Sequence, residues 1–162
     1  MRRSHDRAPK ARPPGRWAAV AILTLAGATA FWLANFAISL TPIAAEYRAG
    51  LSIAYLPMLL EALVGGLILG CGMSVVLIRF PSRVAGRDPF TKAMVLSAVV
   101  LVIVTVAVET PAKLSGGVSE PLRYLVIGTA FNAIRIGAMG VAVGSLARRR
   151  TTRAASAEPR PI

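Results

Sequence analysis

Four stretches of apolar residues, separated by short polar segments, run through the chain. They cover residues 17–40, 55–80, 89–109 and 122–147. At 1.5 Å per residue, each stretch is long enough as a helix to cross a hydrocarbon layer of about 30 Å. The pattern therefore predicts an all-α integral membrane protein whose transmembrane domain, residues 17–147, is a bundle of four helices.

Two helix starts can be recognised between these stretches. Thr41 followed by Pro42 is typical of a capped helix start and predicts a short interfacial helix over residues 42–49. Asp88 followed by Pro89 is a second such pair, so the third span is expected to begin at Pro89. The two ends of the chain, residues 1–16 and 148–162, are basic and contain Pro or Ser, and they are expected to be disordered tails.

The positive charges lie on one side of the predicted bundle. Fifteen of the nineteen Lys and Arg residues fall in the two tails or in the loop between the second and third spans, and three fall on the opposite side. By the positive-inside rule, both termini are cytoplasmic. A composition of sixteen Arg against three Lys is typical of a GC-rich bacterial gene, which indicates a bacterial plasma membrane. The densest cluster, Arg148, Arg149 and Arg150, is expected to contact anionic lipid.

The first apolar stretch has an alternative interpretation. A basic head, an apolar run and Ala28-Thr29-Ala30 together resemble a signal peptide with a small-residue cleavage site. The apolar run continues ten residues past that site, to a total of 24, whereas signal cores have about 7 to 15. The length favours a retained transmembrane span.

Composition excludes several classes of chemistry. One Cys and one His cannot form a disulfide framework, a Cys/His zinc site or a His-based triad within the chain. The net charge of +12 comes without an aromatic-basic platform, which argues against nucleic acid as a partner. No catalytic, metal or phosphate-binding motif occurs, so we expect a non-enzymatic protein without a metal or cofactor.

Polar residues inside the spans are the sharpest candidates for a site. Glu61 and Asn35 are expected at similar depth below the outer surface, and Arg135 and Asn132 lie about one turn apart on the fourth span. Because an isolated charge in a membrane is costly, Glu61 and Arg135 are expected to face inward and pair with each other. The four residues predict a polar site in the outer half of the bundle.

Glycines mark a second pattern, at the spacing of close helix contacts. Gly66 and Gly70 form a Gly-x-x-x-Gly step on the second span, and the fourth span carries a stripe of three. All five are predicted to pack helices together: Gly66, Gly70, Gly137, Gly140 and Gly144.

Two functions fit these observations. The first is a subunit or helix-packing component of a membrane assembly, with the lipid bilayer and a second copy or another membrane protein as partners. The alternative is a small proton- or cation-coupled transporter with Glu61 and Arg135 at the outer-half site. Both remain expectations from sequence.

Overall fold

The computed structural model describes residues 15–115, 117 and 119–156. The described chain is built from helices, in the order α1 (Arg16–Ser39), α2 (Pro42–Gly50), α3 (Tyr55–Arg79), α4 (Pro89–Val104), a π-helical turn (Thr105–Glu109), α5 (Thr110–Leu114) and α6 (Pro121–Ser156). Four helical segments are long and apolar enough to cross a membrane: Arg16–Ser39, Tyr55–Arg79, Pro89–Leu114 and Pro121–Arg153. The predicted four-span, all-helical plan is confirmed, as expected of a multi-pass membrane protein.

Both predicted helix starts are present. The Thr41 hydroxyl accepts a hydrogen bond from the Ala44 amide at 3.2 Å, and Pro42 occupies the first turn of α2. Asp88 accepts hydrogen bonds from the amides of Phe90 and Thr91 at 2.9 and 3.1 Å, and α4 begins at Pro89. Hydrogen bonds from the Thr91 side chain and amide lower the pKa of Asp88, so the cap is ionised near neutral pH.

The third span is longer than predicted because it continues through a π-helical turn. We expected it to end near residue 109, but helical structure reaches Leu114. Pro111 lacks an amide hydrogen and its ring would clash with the carbonyl four residues earlier in a regular α-helix. In the π turn the amide and the hydroxyl of Thr110 both donate to the Thr105 carbonyl, five residues back. The wider turn accommodates Pro111 and shifts the helix by one residue, about 100° of rotation.

The last helix also extends beyond its predicted end. Residues 148–162 were expected to be a disordered tail, but α6 continues to Ser156. Side-chain hydroxyls support this extension, since Thr152 and Ser156 donate to carbonyls one turn back. Residues 157–162, and the tail predicted for residues 1–14, lie outside the described residues.

The four spans pack in the order α3, α1, α6, third span. Helix α1 packs extensively against both α3 and α6, and α6 packs against α4, whereas α3 and α4 make little contact. We call the end where α1 begins and α6 ends the tail end, and the end with α2 and the start of α6 the loop end. The bundle is therefore open along one side, between α3 and the third span.

Small residues hold the helices close together in the middle of the bundle. A Cβ on Gly70 would lie 3.0 Å from the Thr24 carbonyl oxygen of α1, and one on Gly66 would lie 3.1 Å from the Phe31 ring. On α6, Gly140 lies against Ser97, and Gly144 lies against Phe90 and Ala93 of α4. These four predicted contacts are present. The buried core fills the same region with Leu23, Met73, Ile136, Met139 and Val143.

Gly137 differs from the other four glycines. A Cβ added there would meet no atom within 4 Å, so the prediction that Gly137 packs a helix was wrong. Three residues correspond to about 300° of rotation, which turns Gly137 some 60° away from Gly140 and out of the contact. Sequence reasoning missed Gly27 instead, where a Cβ would lie 2.8 Å from Val143 of α6.

Two glycines of the same helix give a matched test of this packing. Gly70→Ala places a methyl group against the backbone of α1, which cannot move aside, and overpacking of this kind costs about 1–3 kcal/mol. Gly72→Ala points into open space and should leave the free energy of unfolding unchanged or slightly raised. Thermal unfolding in detergent measures both variants. Equal melting temperatures for Gly70→Ala and the unmodified protein would contradict the contact.

Candidate functional site

A cavity of about 330 Å³ lies in the loop half of the bundle, where the helices spread apart. All four spans and α2 contribute to its wall, and apolar residues such as Phe31, Met58 and Val108 form part of the lining. Its polar wall includes five charged side chains and consists of Asn35, Ser39, Tyr47, Arg48, Glu61, Glu109, Lys113, Asn132 and Arg135.

Arg135 reaches across the bundle from α6 to α1. Its Nη1 donates a hydrogen bond to Asn35 Oδ1 at 2.8 Å, and its Nε donates to the Phe131 carbonyl at 3.2 Å. The guanidinium also lies over the Phe31 ring, 5.7 Å from its centroid. No carboxylate of the described residues lies within 4 Å of the guanidinium nitrogens. Arg135 is therefore held in place by hydrogen bonds and the Phe31 ring, without a direct ion pair.

Asn35 is left with an unused donor. The residue is 3% exposed, and while its Oδ1 accepts from Arg135, its Nδ2 has no hydrogen-bond partner. Buried amide groups are normally paired, because an unpaired buried donor costs about 1–3 kcal/mol. On the cavity wall, Asn35 thus leaves one amide donor without an acceptor, beside an Arg135 guanidinium that has hydrogen bonds but no carboxylate partner.

A second polar group lies on the third span. The Glu109 carboxylate is 3.8 Å from Lys113 Nζ, and its Oε1 accepts a hydrogen bond from Asn132 Nδ2 at 2.9 Å. The side chains of Lys113 and Glu109 are 10% and 14% exposed. The π turn explains this placement, since its extra residue rotates the following helix and directs Glu109 and Lys113 to the cavity.

Gly128 makes room for this group. A Cβ at this position would lie 2.6 Å from Glu109 Oε2 and 2.8 Å from the Tyr47 hydroxyl. Any side chain would displace both polar groups. Tyr47, on α2, also has Lys113 Nζ 5.0 Å from its ring centroid. Burial raises the pKa of Tyr47, so its hydroxyl is neutral at physiological pH.

Helix α2 closes the loop end of the cavity. Tyr47 packs edge-on against the rings of Tyr124 and Phe131, with centroids 5.8 and 5.5 Å away. Arg48 Nη1 donates to the Ser39 carbonyl at 3.0 Å, and its guanidinium lies over the Tyr55 ring at 5.0 Å. These contacts anchor α2 at both of its flanks, so the cavity's open side is the gap between α3 and the third span.

Glu61 lies at this open side. It lines the same cavity as Arg135, but its side chain is exposed and no Lys or Arg nitrogen among the described residues is within 4 Å. The predicted ion pair between Glu61 and Arg135 was therefore wrong. Counting residues along the helices correctly placed Glu61 and Arg135 at depths where they line the same cavity. Arg135, however, donates to Asn35 on the intervening helix α1 and not to Glu61.

The other residues that were predicted to form sites lie in two regions, the cavity wall and the tail end. Asn35 and Asn132 line the cavity, as expected for the polar site, but each contacts a different charged partner. Arg148 and Arg149 are exposed on the extension of α6, and Arg150 is half-buried at the tail end. Sequence reasoning missed Glu109 and Lys113, which it assigned to the edge of the membrane. Their spacing of four residues around Pro111 was the available signal.

The cavity offers hydrogen bonds and ion pairs rather than a metal-binding arrangement. Within the described ranges, no three His, Cys, Asp or Glu side chains come together as metal ligands would. Comparisons with protein-family models, with curated proteins and with solved structures find no match to this chain. Its function has to be argued from the site itself.

The buried pair of Glu109 and Lys113 can be tested against an exposed one. Glu109→Gln or Lys113→Met should each destabilise the protein by about 3–5 kcal/mol, because each leaves an uncompensated buried charge. The double variant should lose much less than the sum. Unfolding by denaturing detergent measures the cycle.

The control cycle uses Glu120→Gln and Arg123→Met. Arg123 Nη1 is 2.9 Å from Glu120, and its Nη2 also contacts Glu46, but all three side chains are about half exposed, at 49%, 54% and 53%. Each change should cost less than about 1 kcal/mol. Additive losses in the Glu109 and Lys113 cycle would show that these two residues do not compensate each other.

Proposed function

We propose that the protein is a small transporter whose substrate-binding site is the loop-end cavity. The observation that carries this proposal is the unpartnered donor Asn35 Nδ2 beside the Arg135 guanidinium, which has no carboxylate within 4 Å among the described residues, on the wall of a cavity of about 330 Å³. A membrane protein that needed these residues only for packing would be expected to satisfy them internally. An anionic group of a substrate would supply the missing acceptors.

The charge balance of the cavity supports an anionic substrate. Three cations line it, Arg48, Lys113 and Arg135, against two carboxylates, Glu61 and Glu109. Lys113 and Glu109 compensate each other. The charges that remain are the two cations Arg48 and Arg135 and the Glu61 carboxylate, which lies at the open side. A carboxylate or phosphate group fits beside Arg135, and a proton or a small cation fits at Glu61.

In this proposal, the charges couple binding of the anion to neutralisation of Glu61. A negative substrate in the cavity and the negative Glu61 carboxylate repel each other, so neutralising Glu61 favours binding of the anion. By linkage, the bound anion favours neutralisation of Glu61 to the same extent. Proton and anion would thus enter together. Because Glu61 stands where the bundle is open between α3 and the third span, it is the residue best placed to exchange with the surroundings.

Three anions of different shape test the proposal: inorganic phosphate, succinate and glutamate. Proteoliposomes that contain a pH-sensitive dye should acidify inside when at least one of these anions is added outside. Arg135→Met should weaken binding of that anion by about 10- to 100-fold, from the loss of a charged hydrogen bond, and abolish transport. Glu61→Gln should still bind the anion, measured by thermal stabilisation, but should not move protons.

The matched control for both variants is Glu120→Gln, which removes an exposed charge far from the cavity wall and should transport normally. Wild-type proteoliposomes that respond to none of the three anions would contradict the proposal. So would transport that survives Arg135→Met.

The exposure of Glu61 also favours a second candidate, a subunit of a larger assembly. A carboxylate on the lipid-facing side of a lone bundle is costly, and a basic side chain of a partner would relieve that cost. The mass of the complex purified in mild detergent distinguishes the two. A partner that stays bound to the wild type and is lost in Glu61→Gln would favour the subunit.

For the orientation, we infer that the tail end faces the cytoplasm of a bacterial cell, so that the cavity lies in the outer half of the plasma membrane. The support is the bias of fifteen to three in Lys and Arg. A reporter that is active only outside the plasma membrane should be silent when fused after Ile162 and active when inserted beside Gly117. The reverse pattern would overturn the orientation.

A further inference from the structure

The tail end of the bundle contains a second cavity, separate from the proposed transport site. Its volume is about 410 Å³, and all four spans contribute to its wall. The floor is apolar and includes Leu23, Leu77 and Ile78. Typical ligand pockets measure about 300–1,000 Å³. The cavity is therefore large enough for a small ligand or for the headgroup region of a lipid.

The mouth of this cavity is strongly basic. Four cations line it, Arg16, Arg87, Lys92 and Arg150, and no acidic residue does. None of the four has a carboxylate partner within 4 Å among the described residues, and Lys92 Nζ donates only to the Pro81 carbonyl, at 2.5 Å. The nearby acid in the chain, Asp88, is occupied by the amides and hydroxyl that it caps. Four positive charges thus converge without compensation.

We propose that this cavity binds one anionic phospholipid from the adjacent leaflet. An anionic headgroup complements the four cations, and an acyl chain complements the apolar floor. A soluble anion would satisfy the cations but would leave the floor between α1 and α3 in contact with water. The limited packing between α3 and α4 leaves a lateral route from the bilayer into the cavity. Basic pockets between transmembrane helices are known as sites of this kind.

The proposed lipid site differs from the lipid contact that the sequence predicted. Of the cluster Arg148, Arg149 and Arg150, only Arg150 lines the cavity, whereas Arg148 and Arg149 are exposed on the other side of α6 near Phe90. The position of the cations in the fold, rather than their density in the sequence, determines the site. The proposal does not depend on the transport function, because it uses different residues at the opposite end of the bundle.

Binding can be measured by native mass spectrometry of the full chain in mild detergent. With phosphatidylglycerol and phosphatidylcholine offered in equal amounts, the protein should retain one phosphatidylglycerol. The double variant Arg87→Gln with Arg150→Gln should bind it about 25-fold more weakly, at about fivefold for each cation removed. Arg148→Gln with Arg149→Gln removes the same charge from the same end and should change binding less than threefold.

Each outcome decides the proposal. Equal loss in the two double variants would indicate a diffuse surface charge and overturn the cavity site. Equal retention of phosphatidylcholine would show that the headgroup charge is not recognised, and displacement of the lipid by an excess of inorganic phosphate would indicate a soluble-anion site. The selectivity between the two lipids is measured on the wild type, so the proposal stays testable even if the Arg87 and Arg150 variant fails to fold.

Discussion

The cost of burying charge in an apolar bundle governs the loop half of this protein. Glu109, Lys113 and Arg135 all lie within membrane-spanning segments, and each needs a partner that the lipid cannot provide. Glu109 and Lys113 lie 3.8 Å apart, and Glu109 Oε1 also accepts from Asn132, although Glu109 Oε2 has no hydrogen-bond partner. The guanidinium of Arg135 obtains only hydrogen bonds and a ring. The lack of a carboxylate partner for this cation is the feature on which the proposed binding site rests.

The helices are packed closely in one part of the bundle and are spread apart in another. Between the two cavities, Gly70 and Gly144 bring the helices close enough that backbone and side chains fill the space. In the loop half, the π turn and the aromatic contacts of Tyr47 hold the helices apart around polar groups. The packed middle of the bundle therefore lies beside a loop-half cavity whose wall depends on helix rotation as well as on helix separation.

Much of this architecture could be predicted from sequence because it depends on local signals. The four spans follow from apolar length, and the starts of α2 and α4 follow from Thr41 and Asp88 with the prolines behind them. The site was predicted only in part. Depth below the membrane surface is fixed by counting residues, which brought Glu61 and Arg135 to one cavity. Rotation about the helix axis is not, so their pairing was wrong.

The residues that sequence reasoning missed share a physical cause. Glu109 and Lys113 look like the polar end of a span, but the π turn over Thr105–Glu109 rotates the helix, which continues through Pro111 to Leu114. Gly128 matters only because two polar groups from other helices converge on it. Such features depend on tertiary contacts, which a single sequence does not reveal.

The most direct measurement of the central claim is the coupling energy of Arg135 with each of two residues, from unfolding in detergent. The cycle of Arg135→Met with Asn35→Leu should show a coupling of about 1–3 kcal/mol, as expected for a hydrogen bond to a charged group. The cycle of Arg135→Met with Glu61→Gln should be additive within about 0.5 kcal/mol. Strong coupling to Glu61 and none to Asn35 would mean that Arg135 is neutralised by an ion pair, which would contradict the account of an open anion site.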